Sequence, residues 1–154
     1  MAQIRHIAIA SDHPGNAADF FKRAFGFREV SRYGLDPTNP DVAPRPSGVV
    51  LTDGFISIGI IKFAKDQIGV GADYVGLHHF GVVVDDLGAW TNHLENLGAP
   101  NLTTLEDLPT NAHAEIKFRG PDNVVFDISP SPWPGAAPVA PSSTTLPDTN
   151  VGAG

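Results

Sequence analysis

HIAIASD, running from His6 to Asp12, returns later in the chain as HFGVVVD, from His79 to Asp85. The two stretches match position for position, with a histidine opening and an aspartate closing a run of apolar residues that reads as a buried strand. A helical period follows each. Phe20, Phe21, Ala24 and Phe25 place an apolar face on a helix from about Asn16 to Phe25, and Gly26 suits the left-handed position just past its end. Leu87, Trp90, Leu94 and Leu97 repeat that period, and Gly98 repeats the stop. Because a duplicated unit constrains architecture more strongly than local propensity does, this internal match decides the fold.

Working outward, each helix is followed by shorter β-type runs. In the first half these are Arg28 to Tyr33, Gly48 to Thr52 and Phe55 to Phe63; in the second they are Leu102 to Leu105, Ala114 to Phe118 and Val124 to Ile128. The Asp53-Gly54 pair predicts a two-residue type I′ hairpin, whose central residues both need positive φ. The chain is therefore read as α+β, with two tandem βαβββ modules at about residues 4–64 and 77–129 inside one domain, 1–130. Curled mixed sheets of this kind would form a cup. Two stretches lie outside the repeat. Pro37, Pro40, Pro44 and Pro46 make residues 35–46 an irregular excursion of the sort that serves as a lid. The tail, 131–154, is rich in Pro, Ala and Ser, and is expected to be weakly ordered or to dock through Trp133.

Composition narrows the function classes. With 42% apolar and 18% charged residues, 154 residues can bury a core. A net charge of −7 without a basic cluster argues against nucleic acid. The chain has no cysteine, so any metal must be held by nitrogen and oxygen. No apolar run reaches membrane-spanning length and the N-terminus enters a strand at once, so a cytoplasmic protein with no membrane partner is expected.

Strand parity brings chemistry to the repeat. If His6 faces the cup, so do Ala8 and Ala10, and its mate His79 brings Gly81 and Val83 to the same surface. A single histidine at a strand start is usually a hydrogen-bonded structural residue, but recurrence at equivalent positions favours a pair of metal ligands. Asp127 sits within the apolar run VVFDIS, where a buried carboxylate needs either a cation or backbone donors. His6, His79 and Asp127 are thus the candidate metal ligands. His113 and Glu115, at the start of a predicted strand, are candidate general bases, with a solvent-facing polar pair as the alternative. Lys62, Arg45, Tyr33 and Arg119 could hold an anionic substrate or simply be surface groups. His78 would point away from His79 in a regular strand unless a bulge re-aims it.

RHIAIAS and LHHFGVVVDD at the module starts, FKRAFGF at the first helix end and FRGPDNVVFDIS near residue 127 together resemble the vicinal oxygen chelate superfamily over residues 4–129. That superfamily spans glyoxalase I, methylmalonyl-CoA epimerase, fosfomycin-resistance enzymes, bleomycin-binding proteins and extradiol dioxygenases. The glycine usual after Pro-Asp is absent here, and Asp127 replaces the usual glutamate. The resemblance implies ligands on the first and last strands of each module, which gives His6, His79 and Asp127. The mate of Asp127 in module one is Gly59, which cannot ligate. A divalent ion (Fe, Mn, Co, Ni or Zn) with open positions is implied, along with a small oxygen-bearing substrate and dioxygenase or lyase/isomerase chemistry. A metal-free sequestering protein of the bleomycin-resistance type is the alternative. A homodimer is expected from the resemblance and from the exposed sheet edges.

Overall fold

The computed structural model describes residues 2–39, 41–103, 115–140 and 146–147. Its elements run β1 (Ala2–Ala10), α1 (Pro14–Phe25), β2 (Arg28–Tyr33), β3 (Ser47–Thr52), β4 (Ser57–Lys62), β5 (Gly76–Val84), α2 (Leu87–Asn96), β6 (Ile116–Arg119) and β7 (Val125–Ser129). The strands form one seven-stranded sheet in the order β2-β3-β4-β1-β5-β7-β6, mixed and not closed into a barrel. β1 and β5 meet antiparallel at the module boundary, while β1 pairs parallel with β4 and β5 pairs parallel with β7. The fold is the α+β architecture the repeat predicted. No helix among the described residues is long and apolar enough to cross a membrane.

Period-two patterning divides the sheet into two faces. Ile58 and Ile60 lie opposite Ile7 and Ile9, and Phe80 and Val82 lie opposite Phe126 and Ile128. These residues face the helices. Ala18 of α1 closes on Val49, Leu51, Ile58 and Ile60, and Trp90 of α2 closes on Val84, Phe118 and Ile128. α1 starts two residues earlier than predicted, at Pro14, because proline at the first helical position loses no hydrogen bond. It ends at Gly26, with φ 71°. α2 is capped by Asp86, whose side chain accepts the Ala89 N–H at 2.9 Å.

Two expectations are corrected. Thr52 pairs with Ser57, so residues 53–56 make a four-residue connection rather than a type I′ hairpin. Asp53 Oδ1 accepts the N–H groups of Phe55 (2.7 Å) and Ile56 (2.8 Å), and only Gly54 takes positive φ, at 97°. The aspartate satisfies the turn through its side chain and so keeps out of the left-handed region. In module two, no regular strand is described at Leu102: Asn101 forms an isolated bridge to Phe118 and the Leu102 N–H donates to Lys117 at 2.8 Å. The rest of that predicted strand, residues 104–105, lies outside the described residues.

Leu35, at one end of the proline-rich excursion, packs against the α1 core. Arg45 at the other end donates to the carbonyls of Phe63 and Ala72, both at 2.7 Å, and pairs with Asp73. Residues 130–138 of the tail run back along the helix-free face.

Candidate metal centre

Register places the three candidate ligands on that helix-free face. His6 is the cross-strand partner of Gly81, His79 of Ala8, and Asp127 of Gly81 from the other side. Gly81 therefore lies at the centre of the group, and the Nδ1–Cε1–Nε2 edge of His6 lies over it, where a Cβ would overlap the ring. Small residues beside the histidines leave room for the imidazoles to converge.

His79 Nε2 lies 3.0 Å and His6 Nε2 3.4 Å from Asp127 Oδ2. One ligand atom from each of the three residues falls within 4.8 Å of the other two. His6 and Asp127 are fully buried and His79 nearly so. The approaches are close without hydrogen-bonding alignment: both nitrogens of His6, Nε2 of His79 and Oδ1 of Asp127 are buried with no hydrogen-bond partner. Such atoms are costly to bury unless something coordinates them. Two imidazoles and a carboxylate with ligand atoms this close together fit a divalent first-row ion.

The electrostatics suit the same use. Burial opposes a charge on Asp127, yet contacts with His6 and His79 and the Lys117 ammonium outweigh it, so the carboxyl stays below the ordinary range. Burial pushes His79 down against the pull of Asp127, favouring the neutral imidazole that ligation requires.

Several neighbours complete the surroundings. A register shift between Ala8 and Ile9 leaves His78 as an extra residue in β5. The bulge that would re-aim it is therefore present. His78 stacks on Phe63 at 4.1 Å, and its Nδ1 lies 2.7 Å from Nδ1 of His79, on the side of the ring away from Asp127. Burial, with His79 alongside, lowers His78 to about 4. Lys117, the cross-strand partner of Asp127, brings Nζ to 3.4 Å from Asp127 Oδ2 and 3.5 Å from Glu115 Oε2. Sequence reasoning passed over Lys117, although its alternation with Glu115 and Arg119 was the available signal. Glu115 lies beside the cluster and accepts the indole N–H of Trp133. His113 lies outside the described residues. Trp133, anticipated only as an anchor, stacks on His6 with ring centroids 3.8 Å apart and planes at 9°.

Of the possible anion holders, Arg45 is committed to loop carbonyls and Asp73. Tyr33 packs across Gly48. Arg119 donates to the Ile68 carbonyl at 2.7 Å and borders a cavity of about 690 Å³, which His78, His79, Tyr74, Leu77 and Val70 also line. Lys62 is half-buried at the end of β4.

Residues 3–128 match the Glyoxalase/Bleomycin resistance protein/Dioxygenase superfamily, and the chain belongs to that superfamily. No curated protein sequence matches it. Among solved structures it is similar to the hypothetical protein BH1468 of Bacillus halodurans C-125, with a TM-score of 0.63 and 14% identity, covering 83% of this chain and 93% of that one. It is also similar to a methylmalonyl-CoA epimerase of Streptomyces coelicolor in complex with 2-nitronate-propionyl-CoA (TM-score 0.59, 16% identity, 82% and 92% covered). Methylmalonyl-CoA epimerase from Mycobacterium tuberculosis gives a TM-score of 0.59 and 16% identity, with 82% and 85% covered. At these identities the likeness establishes the fold.

Proposed function

We propose that the protein is a divalent-metal enzyme acting on a small organic substrate through two neighbouring oxygens. His6, His79 and Asp127 hold the ion. The observation that carries this reading is the set of buried, unpartnered nitrogen and oxygen atoms on those three side chains. When bound, such an ion would supply Lewis-acid polarisation of substrate oxygens. The chain's own part is to orient and exclude. His78 at Nδ1 of His79 fixes that ring so that Nε2 faces Asp127. Lys117 lies beside the carboxylate, and Glu115 and His113 are the groups assigned to relay a proton. Dioxygenase and lyase/isomerase chemistry both begin from such chelation, and the fold's likeness to epimerases supports the second.

The test is metal analysis of protein purified without an affinity tag, followed by oxygen-uptake and proton-exchange assays. About one equivalent of a first-row ion is expected, lost in His79→Ala and Asp127→Ala with the fold retained. A folded wild-type chain that takes up no Mn, Fe, Co, Ni or Zn overturns the reading. One observation favours the metal-free binding alternative: Lys117 already gives Asp127 a cation. In that case Lys117→Met would abolish ligand capture, and chelators would leave capture unchanged.

A further inference from the structure

We propose that Trp133 is a specificity-determining residue of this centre. It fills the module-one half of the cup, where repeat symmetry would put a fourth ligand, and excludes bulky chelating substrates from that half. The inference rests on the metal reading above and goes beyond it.

The ladders establish the symmetry. In module one Ala8 pairs with Gly59 across the parallel β1/β4 ladder; in module two the equivalent Gly81 pairs with Asp127 across the parallel β5/β7 ladder. Gly59 is therefore the structural counterpart of Asp127. A glycine inside a strand costs stability and marks a close approach. The close approach here is the indole: a Cβ on Gly59 would stand 2.6 Å from Cζ3 of Trp133. Any carboxylate-bearing side chain at position 59 would collide with it.

The tryptophan is held there by groups committed to the tail. Ser57 Oγ donates to the Pro134 carbonyl at 2.8 Å, Thr52 Oγ1 to Gly135 at 2.7 Å, and Arg5 Nε to Ala137 at 3.1 Å. All three donors are buried. The Ala137 N–H donates to the Phe55 carbonyl at 2.9 Å. Ser57 Oγ and the Arg5 Nε–H would be left unpaired if the tail swung away, whereas Thr52 Oγ1 keeps the Ile56 carbonyl at 2.8 Å, so the segment is a fixed wall rather than a swinging lid. Stacking covers a face of the His6 ring and leaves its in-plane Nε2 directed at Asp127, so the wall and metal ligation are compatible. The cavity of about 690 Å³ beside His78 and His79 is lined by neither His6 nor Asp127, so Trp133 is the group that bounds the ligand cluster on this face.

The experiment uses the full chain loaded with Co(II), whose visible bands report binding independently of activity. The part of the tryptophan emission that is absent in Trp133→Phe should be largely quenched by Co(II), because the ring it stacks on is a ligand. Two bidentate probes are then compared, acetohydroxamate and naphthohydroxamate. Along the series Trp133→Phe, Trp133→Leu and Trp133→Ala, the affinity of the bulky probe should rise with the volume removed, by about tenfold or more at alanine. The small probe should change little. If Co(II) binds but the Trp133 emission does not move and the bulky probe gains nothing across the series, this proposal is wrong while the metal reading stands. If no Co(II) bands appear, both fall.

Discussion

A methyl group on Gly81 would overlap the His6 imidazole, because the two residues are cross-strand partners and the ring lies across the glycine. At this scale the centre depends as much on the absence of a side chain as on the ligands. Gly81→Ala is expected to move the His6 ring away from Asp127 and weaken Co(II) binding by at least about tenfold, an effect of the size seen when ligand orientation is lost. The overpacking should cost only about 1–3 kcal/mol, so circular dichroism should still report a folded protein. Unchanged Co(II) affinity in the folded variant would show that His6 is not a ligand. His78 makes the complementary point, since its ring is re-aimed by its place as the extra residue of the β5 bulge and not by its own chemistry.

Among the elements, β2 and α1 are joined by a charge cluster away from the centre. Lys22 Nζ lies 2.9 Å from Glu29 Oε2, and Arg32 Nε lies 2.9 Å from Glu29 Oε1. The Arg32 hydrogen bond, opposed by burial and helped by Lys22, holds Glu29 down at about 2 from an ordinary 4.5. A carboxyl depressed on folding stabilises the protein fully above its unfolded value, and that contribution is lost as pH falls through the folded one. The window therefore runs from about 4.5 down to about 2. Because the cluster is partly solvated, the contribution is about 1 kcal/mol after screening. Urea unfolding of wild type and Glu29→Gln should differ by about that amount at neutral pH and converge through the window. A difference that persists at pH 2 would assign the effect to packing instead.

For the whole molecule, the two strands that meet at the module boundary leave large apolar groups exposed. Ile4 on β1 is 50% exposed and Leu77 on β5 is 72% exposed, both on the two strands where the modules meet. An apolar stripe along the centre of a sheet is the kind of surface a two-fold partner covers. Sedimentation at micromolar concentration is expected to show a dimer, and Leu77→Asp to shift it toward monomer. A wild-type chain that sediments only as monomer would remove the assembly from the account.

Sequence alone determined the duplication, the helix stops at Gly26 and Gly98, and the equivalent strand positions of His6 and His79, while Asp127 joined them as a buried carboxylate that the family resemblance implied. Those features follow from periodicity and from residue types whose backbone or burial preferences are local. It also showed that Gly59 stands where Asp127 stands in the other module. Tertiary structure decided what occupies the space Gly59 leaves: the indole of Trp133 reaches it from a tail whose composition suggested weak order. It likewise decided the His78 bulge, the placing of Lys117 beside Asp127 and the side-chain-capped turn at Asp53. Each of these depends on a ladder register or on a contact between residues distant in the chain, and pattern along one strand carries no record of either.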